Sequence, residues 1–314
     1  LFFFRVFSVF SRQKKRRKLM EWKGVMPAIT TWFDENLQID HEWTAKHVKW
    51  LIANGCTGIV CNGSLGEGAT LSFEEKVALW TTCIDAVGDK VPVIAAIASL
   101  STADAVAQAK AAEQVGCRGL MVLPPYIYRG DWLEMEFHLG AIFTATNLPC
   151  MLYNNPIAYG TDFLPKQIAQ LAEDFPNLQA VKESSADVRR ITAIRALIGD
   201  KLAICVGVDD AIVEGIAAGA TGWIAGLVSA FPKESVDLFN YAMNGESQKA
   251  FELYRWFLPL LRLDTVPKFV QLIKLTQEQV GWGNTRVRPP RLELSDAELE
   301  ETLAIIERAL ATKP

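Results

Sequence analysis

From residue 20 onward the chain alternates short apolar runs with longer stretches of helical period. The short runs are 25–30 (VMPAIT), 57–62 (TGIVCN), 91–98 (VPVIAAIA), 118–123 (RGLMVL), 149–153 (PCMLY), 178–182 (LQAVK), 202–206 (LAICV) and 221–226 (TGWIAG). They lack polar alternation, as strands buried on both faces do. Amphipathic stretches near 41–54, 72–87, 101–116, 131–146, 165–174, 187–199, 209–219 and 231–244 predict helices between them. Ser72, Ser101 and Asp187 stand where N-caps belong. Eight strands alternating with eight helices predict an α/β fold, the (β/α)8 TIM barrel. A doubly wound sheet is the weaker reading, because no G-x-G-x-x-G follows the first strand.

The pattern then turns wholly helical. Helices are expected near 246–263, 267–280 and 295–311, with a loop at Arg288-Pro-Pro-Arg291 before the last. Residues 20–230 therefore read as the barrel, and 231–314 as its last helix plus a C-terminal helical extension. Phe251, Tyr254, Trp256, Phe257, Leu258 and Leu261 make the first of these helices rich in large apolar groups. Glu252, Arg255 and Arg262 interrupt that run, so packing on the barrel or on another subunit is expected rather than a membrane.

Composition narrows the classes without naming one. Of 314 residues, 50% are hydrophobic and 22% charged, which excludes general disorder. Six Cys at 56, 61, 83, 117, 150 and 205 share no short spacing and sit in apolar runs, so they read as reduced core residues of a cytoplasmic protein. With three His in all, no metal centre is expected. Seven of the 32 basic residues fall within 1–19, and none of the acids does; the rest carries 25 basic against 36 acidic residues. An acidic body does not attract nucleic acid. The stretch LFFFRVFSVF is too short to span a bilayer, and its basic cluster follows the apolar run instead of preceding it. Residues 1–19 are expected to be a non-native, transit or disordered leader outside the fold.

Active sites of such barrels lie at the C-terminal ends of the strands. The second strand is followed by Gly63, Ser64 and Leu65 in a glycine-dense loop whose amides can turn toward an anion. The fourth is followed by Pro124-Pro-Tyr-Ile-Tyr128, the seventh by Gly207-Val-Asp-Asp210 and the eighth by Gly226. Gly63, Ser64, Leu65, Tyr128, Asp209 and Gly226 are thereby candidate substrate-binding residues. Lys182 ends the sixth strand after apolar Leu178, Ala180 and Val181. Dryness there would disfavour its ammonium and free the amine to attack a carbonyl. A strand-end lysine paired with a carboxylate is the plainer alternative. Tyr153 ends the fifth strand and is the candidate proton relay, against a core tyrosine with a satisfied hydroxyl.

The strings G-S-L-G-E (63–67), Y-N-N-P (153–156), V-K-E-S (181–184) and G-V-D-D (207–210) resemble, in this order, the dihydrodipicolinate synthase/N-acetylneuraminate lyase family. The likeness runs from about Trp22 to the C-terminus. It implies a cofactor-free and metal-free class I lyase in which Lys182 forms a Schiff base with a 2-oxo acid and Tyr153 relays protons. Ser64 and the amides of Ser64 and Leu65 would hold the substrate carboxylate. The resemblance also implies a homotetramer built as a dimer of dimers.

Three positions depart from the synthases that condense pyruvate with aspartate semialdehyde. Leu65 replaces a relay threonine, Ile127 a tyrosine that reaches the neighbouring subunit, and Ile157-Ala-Tyr-Gly160 lacks an arginine for the aldehyde's carboxylate. Whether Tyr126, Tyr128 or Tyr159 stands in for that tyrosine is left open. The strings MEWKGVMPAITT (20–31), YNNPIAYGTD (153–162), AFPKE (230–234) and RPPRLEL (288–294) look like the branch that deaminates 1-pyrroline-4-hydroxy-2-carboxylate in hydroxyproline degradation. That deaminase is the first expectation. The lysine-pathway synthase, or a sugar-acid aldolase or dehydratase, is the alternative. A non-catalytic keto-acid-binding barrel is the reading from a different class.

Overall fold

The computed structural model describes residues 20–314, and the leader expected over 1–19 lies outside the described residues. Among the described residues, eight parallel strands form one sheet: β1 (Gly24–Pro27), β2 (Ile59–Cys61), β3 (Val93–Ile97), β4 (Gly119–Val122), β5 (Cys150–Asn154), β6 (Leu178–Glu183), β7 (Ala203–Val206) and β8 (Gly222–Ala225). They are hydrogen-bonded in the order β1-β8-β7-β6-β5-β4-β3-β2. An isolated bridge between Ala28 and Val60 brings the two ends together, closing the expected TIM barrel. All eight strands fall within or across the apolar runs read from the sequence.

Strand side chains alternate between two cores. Inside the barrel stand Met26, Ala28, Val60, Ile94, Ala96, Met121, Met151, Ala180, Cys205 and Ile224, with Trp22 among them. Those pointing outward, such as Val25, Ile59, Leu120, Leu152, Val181 and Ile204, meet the surrounding helices. The two-residue period gives Tyr153 the inward parity of Met151, and Lys182 that of Ala180.

The helices around the barrel are α1 (His41–Ala53), α2 (Phe73–Val87), α3 (Thr102–Val115), α4 (Trp132–Thr144), α5 (Pro156–Tyr159), α6 (Pro165–Asp174), α7 (Arg189–Ile198), α8 (Ile212–Ala217) and α9 (Pro232–Met243). Ser72 closes a capping box with Glu75, and the Ser101 side chain accepts from Asp104 N–H. Asp187 lies one residue before the N-cap of α7; it receives Arg189 N–H at 3.1 Å and pairs with that guanidinium. The predicted helix 209–219 opens instead as a 3-10 turn over Asp209–Ala211, because the Asp209 carboxylate is occupied by strand-end amides.

The C-terminal extension comprises α10 (Ser247–Leu261), α11 (Phe269–Gln279) and α12 (Asp296–Ala311). The apolar face of α10 is covered by the chain itself: Tyr254, Phe257, Leu260 and Leu261 are buried, and Trp256 Nε1 donates to the Ala309 carbonyl of α12 at 2.9 Å. Among the described residues no helix is long and apolar enough to cross a membrane. All six Cys are buried and free of disulfides.

Candidate active site

Register, more than any single residue, builds this site. β5 and β6 pair so that Tyr153 lies directly beside Lys182 and Asn154 beside Glu183. Both Tyr153 and Lys182 are 6% exposed, so each points into the barrel mouth with little water around it. The Lys182 Nζ sits 4.2 Å from the centre of the Tyr153 ring, within cation–π range. The lysine stem runs across Gly207 at the end of β7. A β-carbon there would fall 2.7 Å from Lys182 Cε and 2.0 Å from Ser184 Oγ, so glycine alone leaves the passage clear.

Beneath the pair, the outward residues of the same strands are locked together. Asn154 Nδ2 reaches Asp162, the Phe163 carbonyl and Glu183, each at 3.2 Å. Glu183 also accepts Ser185 N–H at 2.7 Å. Burial pushes the Glu183 carboxyl above the usual range against these bonds. Arg190 grips Asp162 with two bonds of 2.6 and 2.8 Å and holds that carboxyl below its ordinary range.

The glycine-dense loop after β2 folds tightly over the mouth. Asn62 and Glu67 adopt left-handed backbone, at φ of 61° and 52°. A β-carbon on Gly68 would lie 2.0 Å from the Asn62 carbonyl. The fold anchors this loop from the C-terminal extension: buried Glu67 pairs with Lys274 Nζ of α11 at 2.6 Å and accepts Arg288 N–H at 3.0 Å. Lys274 in turn sits 4.5 Å over the Phe33 ring. Neither Glu67 nor Lys274 was singled out from sequence, since the two lie 207 positions apart.

Ser64 is thereby carried to the site, and its hydroxyl shares a short hydrogen bond with the Tyr159 phenol. The Tyr159 ring stands edge-on to Tyr153 at 6.2 Å and tilted against Tyr126 at 5.8 Å. Burial, aided by neighbouring Tyr153, raises the Tyr159 phenol pKa. Tyr159 comes from α5, which the sequence reading missed. The signal was there: Asn155 caps Ala158 N–H, Pro156 opens the turn and Gly160 closes it at φ 77°.

The other candidates scatter. Leu65 is buried in the outer core. Tyr128 is exposed and spends its hydroxyl on Glu134, at 2.8 and 2.9 Å, beside a surface cleft lined by Leu100, Leu133 and Phe137. Asp209 is fully buried and holds the amides of Gly226 and Leu227 and the Trp223 indole, which leaves Gly226 bound to Asp209. Arg129 reaches the loop after Pro156: a β-carbon on Gly160 would meet its guanidinium carbon at 2.3 Å. The arginine absent from 157–160 is thus approached from the β4–α4 loop.

Known proteins agree on the kind of enzyme. The sequence profile of the dihydrodipicolinate synthetase family matches residues 21–309. The 4-hydroxy-tetrahydrodipicolinate synthase of Methanocaldococcus jannaschii is 32% identical over 290 residues, covering 92% of this chain and 98% of its own. That of Geobacter metallireducens is 32% identical over 285 residues, covering 91% and 98%. A dihydrodipicolinate synthase structure from Bacillus anthracis superposes with a TM-score of 0.88 at 30% identity, covering 94% of this chain and all of that one. The Acinetobacter baumannii synthase complexed with pyruvate gives 0.88 at 27% identity, covering 92% and 99%.

These relatives overturn the expected deaminase and its place in hydroxyproline degradation, since they bear the name of the synthase that stood as the alternative. The expectation failed because it read each missing group at its own position. Tyr159 brings a hydroxyl to Ser64 where Leu65 has none, and Arg129 brings a guanidinium to the loop where Ala158 has none. With a lysine and a tyrosine paired at the barrel mouth and a matching profile along nearly its whole length, the chain belongs to the dihydrodipicolinate synthetase family, as a lyase of the Schiff-base class.

Proposed function

We propose that this chain condenses pyruvate with aspartate semialdehyde, the activity of a 4-hydroxy-tetrahydrodipicolinate synthase. The observation that carries this reading is the side-by-side register of Tyr153 and Lys182 in a dry barrel mouth. The Lys182 amine attacks the pyruvate carbonyl, and loss of water leaves an imine. The imine nitrogen draws electrons from the methyl carbon, which loses a proton and attacks the aldehyde. Tyr153 moves those protons, with the bonded hydroxyls of Ser64 and Tyr159 nearby as further carriers, and the loop holding Gly63 and Ser64 receives the pyruvate carboxylate. Arg129 takes the second carboxylate with its planar fork of donors.

Incubation of the purified chain with pyruvate and aspartate semialdehyde tests the reading. Joint consumption of both, with neither consumed alone, is expected. Consumption of pyruvate with some other aldehyde but not this one would return the chain to the aldolases.

A second copy is proposed to cover the cleft beside Tyr128. Phe137 is 73% and Leu133 69% exposed there, and Leu100 of the same cleft is 53% exposed, a concentration of apolar surface that a lone chain leaves wet. The tetramer implied by resemblance is part of this proposal, although one solved relative is a monomeric synthase variant. Phe137→Glu should then lower the sedimenting mass; an unchanged monomer in both proteins contradicts it.

A further inference from the structure

The loop after β5 carries much of the proton path, and little packing holds it there. Asn155 Nδ2 donates to the Tyr153 hydroxyl at 3.0 Å, and Tyr159 brings its phenol to Ser64. Yet no residue of α5 is buried, and Ile157 stands exposed upon it. The Thr161 hydroxyl is buried without a hydrogen-bond partner. A segment so poor in apolar contact opens readily unless its ends are tied.

One side chain ties both ends. Asn154, fully buried, precedes the loop, and Phe163 follows it nine positions on. The Asn154 Oδ1 accepts Phe163 N–H at 3.0 Å, and its Nδ2 donates to the Phe163 carbonyl at 3.2 Å. A single amide thereby buckles residues 155–162 at their base. Its Nδ2 has two further acceptors at 3.2 Å, Asp162 Oδ1 and Glu183 Oε2. Two carboxyl groups thus gather at one nitrogen that carries only two hydrogens.

That arrangement needs a cation, and α7 supplies it. Arg190 grips both Asp162 oxygens, at 2.6 and 2.8 Å. The pair is largely shielded, Arg190 at 21% and Asp162 at 30% exposure, and the bidentate fork fixes direction as well as charge. Without it, Asp162 and Glu183 would meet at the amide as like charges and push apart. Glu183 cannot move away freely, because its Oε1 holds Ser185 N–H at 2.7 Å. The Asp162 end of the buckle is therefore the end that gives.

We propose that Arg190 is a positioning residue for proton transfer: by holding Asp162 against the Asn154 amide, it keeps the loop 155–162 closed and the Tyr159 hydroxyl in place beside Ser64 and Tyr153. The proposal rests on Tyr153 and Tyr159 as proton carriers. A displacement of about 1 Å in such a group is enough to slow a reaction severely.

Exchange of the pyruvate methyl protons in heavy water, followed by proton NMR, reads the step itself. On the imine a methyl C–H bond breaks, its electron pair enters the carbon–carbon double bond of the enamine, and the proton passes to the carrier. Return from a carrier equilibrated with heavy water leaves deuterium on the methyl carbon. No aldehyde takes part, so the outcome does not depend on the second substrate. Arg190→Met should slow exchange about fivefold or more, with borohydride trapping of pyruvate on Lys182 at its unaltered rate. Arg190→Lys, which keeps the charge and loses the fork, should fall between. In a chain that already carries Tyr159→Phe, Arg190→Met should cost at most about twofold more, because the hydroxyl it positions is gone. Equal losses in both backgrounds would make Arg190 a structural residue and overturn the proposal, as would full exchange in Arg190→Met. Should Arg190→Met not fold, Arg190→Lys goes through the same cycle, and the same outcomes decide. Full exchange in Tyr159→Phe alone overturns the proton path and the proposal with it, a result distinct from equal losses, which strike Arg190 only.

Discussion

Tyr153 and Lys182 occupy the same rung of the barrel, on adjacent strands, with the amine 4.2 Å from the centre of the phenol ring. A two-residue strand period turns both inward, and the parallel register sets them level. The proposed nucleophile and proton carrier come together in this way without either depending on a flexible loop. Tyr153→Phe keeps the ring beside the amine and removes only the hydroxyl, which Asn155 Nδ2 contacts at 3.0 Å. Turnover should fall by roughly 10²–10⁴, the usual weight of a general acid–base, with pyruvate still trapped on Lys182. Steady-state kinetics beside mass spectrometry check this; full turnover would leave Tyr153 a packing residue.

Tyr159→Phe separates the hydroxyl chain from the packing of α5. The ring still fits between Tyr153 and Tyr126, but Ser64 loses its partner. A drop in kcat of about tenfold or more, with the thermal midpoint held, is expected, since one relay hydroxyl is gone from a water-poor site. An unchanged kcat removes Tyr159 from the proton path.

Arg129→Gln addresses the second substrate alone. The KM for aspartate semialdehyde should rise about tenfold, equivalent to about 1.4 kcal/mol, while pyruvate trapping stays as it was. Equal loss for both substrates would place Arg129 in the support of Gly160 instead.

The buried ion pair that holds the loop after β2 should be costly to break from one side. Lys274→Met leaves the Glu67 carboxylate without its 2.6 Å partner at a side chain that is 0% exposed. A loss of up to about 3–5 kcal/mol follows from a buried charge left with only Arg291, 3.9 Å away, and Lys274→Met with Glu67→Gln should recover much of it. Chemical denaturation of the single and double variants measures both. A double variant no better than the single one would mean that the pair itself, not the stranded charge, carries the stability.

Acid should weaken the fold through His47. Burial lowers its pKa to about 4, while its Nε2–H donates to the Ser229 carbonyl at 2.8 Å. The unfolded chain takes up this proton from about pH 6.5 downward and the folded chain does not until about 4. Stability from neutral His47 is therefore full above pH 6.5 and lost as pH falls toward 4, by about 3 kcal/mol at 1.36 kcal/mol per unit. His138, lowered by burial as well, acts in the same direction. His47→Gln should flatten the fall of the thermal midpoint between pH 6.5 and 4; an equally steep fall would acquit His47.

The barrel was legible because its signal is local and repeated: eight apolar runs, each buried on both faces, returned as eight strands. Lys182 and Tyr153 were legible for the same reason, standing at run ends where a barrel keeps its chemistry. What escaped depends on contacts between distant positions. Arg190 reads as one cation of a helix until Asp162 is beside it, and Glu67 as a loop acid until Lys274 is. Substrate choice escaped for a related reason. Reading Leu65 and Ala158 as lost groups ignored side chains delivered to the same spots from α5 and from the β4–α4 loop.

The account stands on a covalent bond at one lysine, and peptide mapping after borohydride reduction in the presence of pyruvate reads that bond directly. The mass of reduced pyruvate should be found on Lys182, and replacing Lys182 should abolish labelling. Label on a different lysine, or an unlabelled chain, would contradict the Schiff-base mechanism drawn here.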